Sequence, residues 1–344
     1  MSYYLIRVLQ EIIRIIDRTL YLFKKKKNYI EFDLHMQRRI NNKTLKRMEK
    51  SIEVNNKYLA GNTVIFKTNS RKIQIEILYN KQEVLKNMSL MGSSGIDVYR
   101  IDDNGEEYLI KGICPRTNCQ MYINDTIYLN ELKNRIRIYL PLYAQIRYIR
   151  VSCDSESYIL KEKEKKINDA IAFYGSSITQ GCAASRPSLS YTNIVSRRLN
   201  LISYNFGYSE SAKGQIWVIK EINRRKYKYF VMEFDHNASI EELENRHYQV
   251  YKEIRNNDND VIIIIMSRFS GGISISEEEE NIRRKIILKT IDKARAQGDE
   301  KLIFIDGKDS LAYKRDCFVD DRHPNDYGMQ QIANMIIDRI NEMR

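Results

Sequence analysis

The stretch "AIAFYGSSITQGCAAS" (residues 170–185) runs from a strand-like apolar segment, Ala170-Ile171-Ala172-Phe173-Tyr174, straight into small and hydroxylated residues. An apolar run of this length, closed by Gly175, reads as a buried strand entering a turn. The same rhythm repeats downstream. Strand candidates at 170–174, 202–206, 229–234, 261–266 and 302–305 alternate with helical candidates at 190–199, 214–225, 239–256, 276–297 and 326–343. Continuous apolar strands joined by helices predict a parallel sheet covered on both faces, with its functional crevice at the carboxyl ends of the strands.

Upstream, between about residues 60 and 155, the periodicity changes to alternation, as in Thr63–Lys67, Ile73–Ile77, Ile96–Tyr99 and Arg135–Leu140. Turn signals at Thr68-Asn69-Ser70 and Asp102-Asp103-Asn104-Gly105 separate these runs, which predicts an antiparallel β-sandwich. The charged run at 161–168 is the best linker. The organisation expected is therefore a helical extension over 1–55, a β-sandwich domain over 56–160 and an α/β domain over 168–344.

In the extension, Leu5, Leu9, Ile12, Ile16, Leu20 and Phe23 fall on one helical stripe, while Arg7, Glu11, Arg14, Asp17 and Arg18 interrupt every candidate signal-peptide or membrane-spanning run. The pattern predicts an amphipathic helix that docks on its own protein or on a second copy. Membrane attachment is not expected.

A chain of 344 residues is long enough for two cores, and 43% hydrophobic with 30% charged residues is a globular composition. The net charge of +12 lacks the dense clustering of a nucleic-acid module, since only Lys24–Lys27 and the mixed run Lys161–Lys166 are concentrated. A solvated face or an acidic polysaccharide accounts for it equally well, and no nucleic-acid partner is expected. Five cysteines, Cys114, Cys119, Cys153, Cys182 and Cys317, are odd in number and lack zinc-site spacing. They read as reduced thiols of a cytoplasmic protein, and neither a metal nor an organic cofactor is expected.

Three more polar loops follow strands or precede the last helix: Gly207–Gly214, Asp235–Ala238 and Val319–Gly328. Together with the opening turn they gather on one edge of one sheet. Acyl transfer needs a hydroxyl nucleophile, an imidazole, a carboxylate to orient it, and donors for a tetrahedral oxyanion. Those residue types are all present. Asp320 and His323 are three apart on one short loop, so the carboxylate can hold one ring nitrogen while the other faces a serine. Taken singly, each has a structural reading: a serine after a strand caps a helix, and His236 and His247 suit ordinary buried histidines. His35 has no chemical neighbour in sequence. Trp217, Arg186 and the sandwich tyrosines Tyr99, Tyr122, Tyr139 and Tyr143 are read as structural.

The ordered set "GSSITQG", "NFGYSESAKG", "DHNA" and "VDDRHPND" resembles the conserved blocks of the SGNH hydrolase superfamily, the GDSL-like esterases and acylhydrolases. "SSGIDVYR" with "IRIYLPLY" resembles the jelly-roll-type domain that precedes the hydrolase in one branch. The resemblance implies a three-layer, flavodoxin-like α/β/α domain with Ser177 as nucleophile, His323 as general base and Asp320 as its orienting carboxylate. The oxyanion donors it implies are the backbone N–H groups of Ser177 and Glu210 and the side-chain amide of Asn237. Ser176 stands where many members carry aspartate, and Glu210 where glycine is usual. For Glu210 three outcomes are open, in this order: the side chain turns to solvent, it selects a cationic or hydroxyl-rich substrate, or it lowers activity. The function implied is a serine esterase removing a small acyl group, acetyl foremost, from a carbohydrate or similar hydroxylated substrate, a small-molecule or oligosaccharide acyl ester. The alternatives are an acyltransferase of the same fold and a catalytically weakened carbohydrate-binding protein.

Overall fold

The computed structural model describes residues 28–34, 39–40, 49–162, 170–269, 275–308 and 311–343. The amphipathic stripe at 5–23, the lysine run at 24–27, His35 and most of the linker lie outside the described residues.

Among the described residues, alternating sequence upstream of the linker forms nine strands: β1 (Tyr29–Asp33), β2 (Thr63–Thr68), β3 (Lys72–Gln82), β4 (Ile96–Ile101), β5 (Glu107–Ile113), β6 (Tyr122–Tyr128), β7 (Asn134–Tyr139), β8 (Ala144–Cys153) and β9 (Ile159–Lys161). They pair antiparallel into two sheets, ordered β1-β8-β3-β6 and β5-β4-β7-β2-β9. Every second residue points inward, so Ile73, Ile75, Ile77, Ile149 and Val151 of one sheet meet Val64, Phe66, Ile136 and Ile138 of the other in one core. Burying each such side chain contributes about 2 kcal/mol. Two short helices, α1 (Lys50–Asn55) and α2 (Leu90–Ser94), flank this sandwich. The helical extension expected over 1–55 is corrected at Tyr29–Asp33, a strand paired with β8, where alternating Ile30 and Phe32 supply one more row of the sandwich.

Downstream the expected alternation appears as β10 (Ala170–Gly175), α3 (Ser177–Gln180), α4 (Tyr191–Arg198), β11 (Ile202–Gly207), α5 (Ile216–Ile222), β12 (Tyr229–Glu233), α6 (Ile240–Asn257), β13 (Ile262–Met266), α7 (Glu277–Ala296), β14 (Leu302–Ile305) and α8 (Asp326–Glu342). The five strands are parallel in the order β11-β10-β12-β13-β14. Strand alternation sends Ile171, Phe173, Val231 and Ile264 to a core with α4 and α8, and Ala172, Tyr174, Phe230 and Ile263 to a core with α5, α6 and α7. Local sequence starts the helices where it should. Ser239 and Glu242 form a capping box on α6, and Ser276 caps α7 ahead of four glutamates, each cap contributing about 1 kcal/mol.

The chain leaves β10 first toward β11 and later returns to β12 on its other side, so the winding reverses beside β10. A crevice opens at such a reversal at the carboxyl ends of the strands. Ser176 and Ser177 are the first residues beyond the end of β10. Among the described residues, no helix is long and apolar enough to cross a membrane.

Candidate active site

The turn after β10 is shaped by close packing. A Cβ on Gly175 would lie 2.3 Å from Thr179 Oγ1 and 2.7 Å from Glu233 Oε2, so only glycine fits. Ser176 then caps α3, its Oγ accepting from Ile178 N at 3.1 Å, which places Ser177 on the first turn of the helix. Of the two adjacent serines, the cap is therefore committed to structure, and Ser177 is the one turned to the crevice.

His323 and Asp320 reach Ser177 from a loop closed on itself. Phe318 bridges Pro324, Val319 N donates to His323 O at 2.9 Å, and Asn325 caps α8 while its own N donates to Cys317 O at 2.8 Å. Within the loop, Asp320 Oδ1 accepts the backbone N–H groups of Arg322 at 2.9 Å and His323 at 2.6 Å. The His323 Nδ1–H is thereby directed at Asp320 Oδ2, 2.8 Å away. With its proton on Nδ1, the ring presents Nε2 as an acceptor, and the Ser177 hydroxyl donates to it at 2.9 Å. Partial burial pushes the Asp320 carboxyl up, but the His323 amide, the His323 ring, Asn87 and the Arg322 amide together hold it well below the usual carboxylate range.

The other expected residues gather beside this chain. Tyr208 N donates to Gly175 O at 2.9 Å, tying the loop after β11 to the loop after β10. In that turn Glu210 has φ +58°, the left-handed conformation that glycine adopts without strain, and its side chain is exposed. Asn237 Nδ2 donates to Tyr208 O at 3.0 Å, fixing the amide against the same turn. The loop on both sides of Asn237 is anchored by buried Arg283 of α7, which donates to Asp235 Oδ1 at 3.2 Å and to Ala238 O at 2.8 Å. His236 and His247 are buried; His236 Nε2 accepts from Phe269 N, and His247 Nδ1 meets Thr290 Oγ1 at 2.8 Å. Burial keeps both rings neutral, lowering His247 to about 3.

Two residues that were not singled out from sequence belong here. Asn87, from the sandwich segment between β3 and α2, donates from Nδ2 to Asp320 Oδ2 at 2.9 Å. Because the His323 Nδ1–H already points at the carboxylate, the amide hydrogen goes to Asp320 and supports its charge, not the ring. Replacing Asn87 by alanine is expected to lower kcat/KM for an aryl acetate about fivefold to tenfold, the worth of one partly exposed charge-assisted hydrogen bond. Steady-state kinetics check this, and an unchanged value would assign Asn87 to domain packing alone.

The second is Glu233, the last residue of β12 and wholly buried. Its carboxyl accepts Ser176 N at 3.0 Å, Ser176 Oγ at 2.8 Å and Thr179 Oγ1 at 2.7 Å. A carboxylate thus enters from the neighbouring strand beside Ser176. The signal was one ionisable residue at the end of the otherwise apolar run "YFVME". Burial, opposed by the hydrogen bonds of Thr179 and Ser176, pushes its pKa from 4.5 up to about 7. A raised carboxyl pKa means that the folded chain keeps a proton over pH 4.5 to about 7 that the unfolded chain has released. Stability therefore falls as pH rises through that window. Glu233→Gln should remove this slope, so that its stability relative to the parent improves between pH 5 and pH 8 by on the order of 3 kcal/mol in urea unfolding. A constant difference would show that the carboxyl does not titrate there.

The sandwich also packs directly on the turn. Tyr58, Leu142 and Tyr143 contact Cys182 and Ala184 after α3. Buried Asp97 accepts Ser188 N at 2.8 Å, while Tyr99 OH accepts from Arg186 at 2.8 Å. Arg186 is thus a joint between the domains, and Trp217 packs against the core under α5. The five cysteines are free thiols.

Residues 168–341 match the GDSL-like Lipase/Acylhydrolase family, and residues 24–159 match the N-terminus of esterases of SGNH-hydrolase type. A structure assigned as a GDSL-like lipase from Bacteroides ovatus ATCC 8483 superposes with TM-score 0.82 at 21% identity, covering 92% of this chain and 98% of that one. The salicylyl-acyltransferase SsfX3 of a tetracycline biosynthetic pathway gives TM-score 0.73 at 13% identity, covering 93% and 92%. A family two carbohydrate esterase from Clostridium thermocellum, in complex with cellohexaose, gives 0.60 at 13%, covering 83% and 93%. No curated protein sequence matches. At these identities the superpositions show a shared two-domain fold; the family match over the α/β domain goes further, and the chain belongs to the GDSL-like lipase/acylhydrolase family.

Proposed function

We propose that this chain is a serine esterase that removes a small acyl group, acetyl foremost, from a hydroxylated carbohydrate. The observation that carries the reading is the continuous hydrogen-bonded chain Ser177 Oγ–His323 Nε2, His323 Nδ1–Asp320 Oδ2 at the carboxyl end of the sheet. In this reading His323 takes the Ser177 proton as Oγ attacks the ester carbonyl, and the Ser177–Glu210–Asn237 donors receive the oxyanion. His323 returns the proton to the leaving alcohol, then activates the water that releases the acyl group. The structures of carbohydrate esterase fold-relatives support a saccharide as the alcohol.

The exposed Glu210 side chain supports the first of its three outcomes, because only its backbone N–H is needed in the turn. Glu210→Gly should then change kcat/KM for para-nitrophenyl acetate by less than about threefold. It should also relieve about 0.5–1 kcal/mol of left-handed strain, partly offset by glycine's backbone entropy. Kinetics and urea unfolding check both, and a gain in turnover of orders of magnitude would mean that the carboxylate opposes the oxyanion.

A sugar hydroxyl could replace water as acceptor, and the fold shared with an acyltransferase along nearly the whole chain favours keeping that second reading. Product analysis with an acetyl donor and an oligosaccharide separates the two: free acetate in excess supports the esterase, and transfer exceeding hydrolysis supports the transferase.

A further inference from the structure

A cavity of about 470 Å³ lies away from Ser177, between the β2–β7–β9 side of the sandwich and the open edge of β11. Neither Ser177, Asp320 nor His323 lines it. Six basic side chains do, Arg39, Arg135, Arg137, Lys161, Arg197 and Arg225, against one acidic side chain, Glu162. Arg135 pairs with Glu162, and Arg137 with buried Glu107. The other four stand in no salt bridge among the described residues, although the Glu107 charge also acts on Arg197. Aromatic rings and backbone carbonyls hold them: Arg39 lies over Tyr208 at 5.5 Å, Lys161 over Phe32 at 5.1 Å, Arg197 over Tyr139 at 5.6 Å and Arg225 over Tyr204 at 5.3 Å, while Arg197 donates to Ser188 O at 3.1 Å and Arg225 to Arg39 O at 3.5 Å.

Arg39 is the sharpest case. It is 4% exposed, donates one N–H to Gly207 O, and leaves Nε and Nη2 buried without a partner among the described residues. Arg137 Nε, Asn193 Oδ1 and Ser203 Oγ on the same lining are also buried and have no partner among the described residues. A buried guanidinium without a counter-charge is costly, and burial lowers Arg39 to about 10. Guanidinium groups match the paired oxygens of carboxylate and phosphate, and a cavity of this size accommodates a sugar-sized molecule.

We propose that this interdomain cavity binds an oxyanion, a phosphate or carboxylate group carried on a sugar-sized hydroxylated molecule, at a site separate from the catalytic serine. Since both domains supply its walls, occupancy also clamps the sandwich against the α/β domain. The proposal does not depend on the esterase reading.

The test titrates the full chain with inorganic phosphate, a hexose phosphate and glucuronate by calorimetry, with thermal shift alongside. Saturable binding that raises Tm and weakens at high salt is expected, and comparing the phosphate and carboxylate arms identifies the acidic group. Arg225→Gln and Lys161→Gln, both partly or fully exposed side chains, should each weaken binding, and together by about tenfold or more. Arg198→Gln, whose side chain bonds Asn334 outside the cavity, should leave it unchanged. Both cavity variants should keep the aryl acetate kcat/KM of the parent. No saturable binding of any probe up to about 10 mM, equal weakening by Arg198→Gln, or competition by an acetyl ester at Ser177 would each overturn the proposal.

Discussion

Ser177→Ala is expected to lower kcat/KM for para-nitrophenyl acetate by at least about 10,000-fold while leaving the unfolding midpoint unchanged. The size follows from the geometry. The Ser177 hydroxyl is the group that meets His323 Nε2, and the neighbouring Ser176 cannot stand in for it. Ser176 Oγ is engaged with Glu233 at 2.8 Å and with Ile178 N at 3.1 Å. Stability should hold because Ser177 is not the cap of α3 and its removed oxygen leaves only His323 Nε2 without its partner, the ring staying bonded to Asp320 through Nδ1. The double variant Ser177→Ala/His323→Ala should be no worse than either single one, since groups that act as a unit do not add. Full activity in Ser177→Ala would move the nucleophile elsewhere.

Asp320→Asn is expected to cost about 100- to 10,000-fold in kcat/KM with little change in KM. The carboxylate is acceptor-only and faces four donors: the His323 and Arg322 amides, the His323 ring and Asn87. An asparagine there must turn an NH₂ toward at least one of them. If it faces the ring, Nδ1 becomes the acceptor and the proton moves to Nε2, the nitrogen that receives the Ser177 proton in the proposed mechanism. If it faces the backbone, the turn that carries His323 opens. A KM effect without a kcat effect would instead place Asp320 in substrate binding.

How much of this was legible in the sequence follows the physics of each layer. The α/β domain reads easily because its strands are buried on both faces and its helices carry their own start signals, so Val261–Met266 or Ser276–Glu280 announce themselves. The sandwich is harder. β5 leaves Tyr108 and Leu109 exposed, β6 buries only Ile123 and Ile127, and a bulge opposite Leu78–Lys81 breaks the simple alternation between β3 and β8. β9 is three residues long. At the site, the residues that share a loop, Asp320 and His323, were readable from spacing. Asn87 was not, because it meets Asp320 across 233 residues and through the packing of one domain on another. Ser176 departs from the aspartate that many members carry, and only the fold reveals that Glu233 of β12 brings a carboxylate to its side.

An acyl-Ser177 intermediate is what rapid mixing with para-nitrophenyl acetate, acid quench and peptide mass spectrometry would detect. A burst of nitrophenol approaching one per chain, with acetyl on the peptide that holds Ser177 and none in Ser177→Ala, is expected. Acetyl on another residue, or steady turnover by the Ser177→Ala chain with no adduct at all, would place the chemistry outside the Ser177–His323–Asp320 chain.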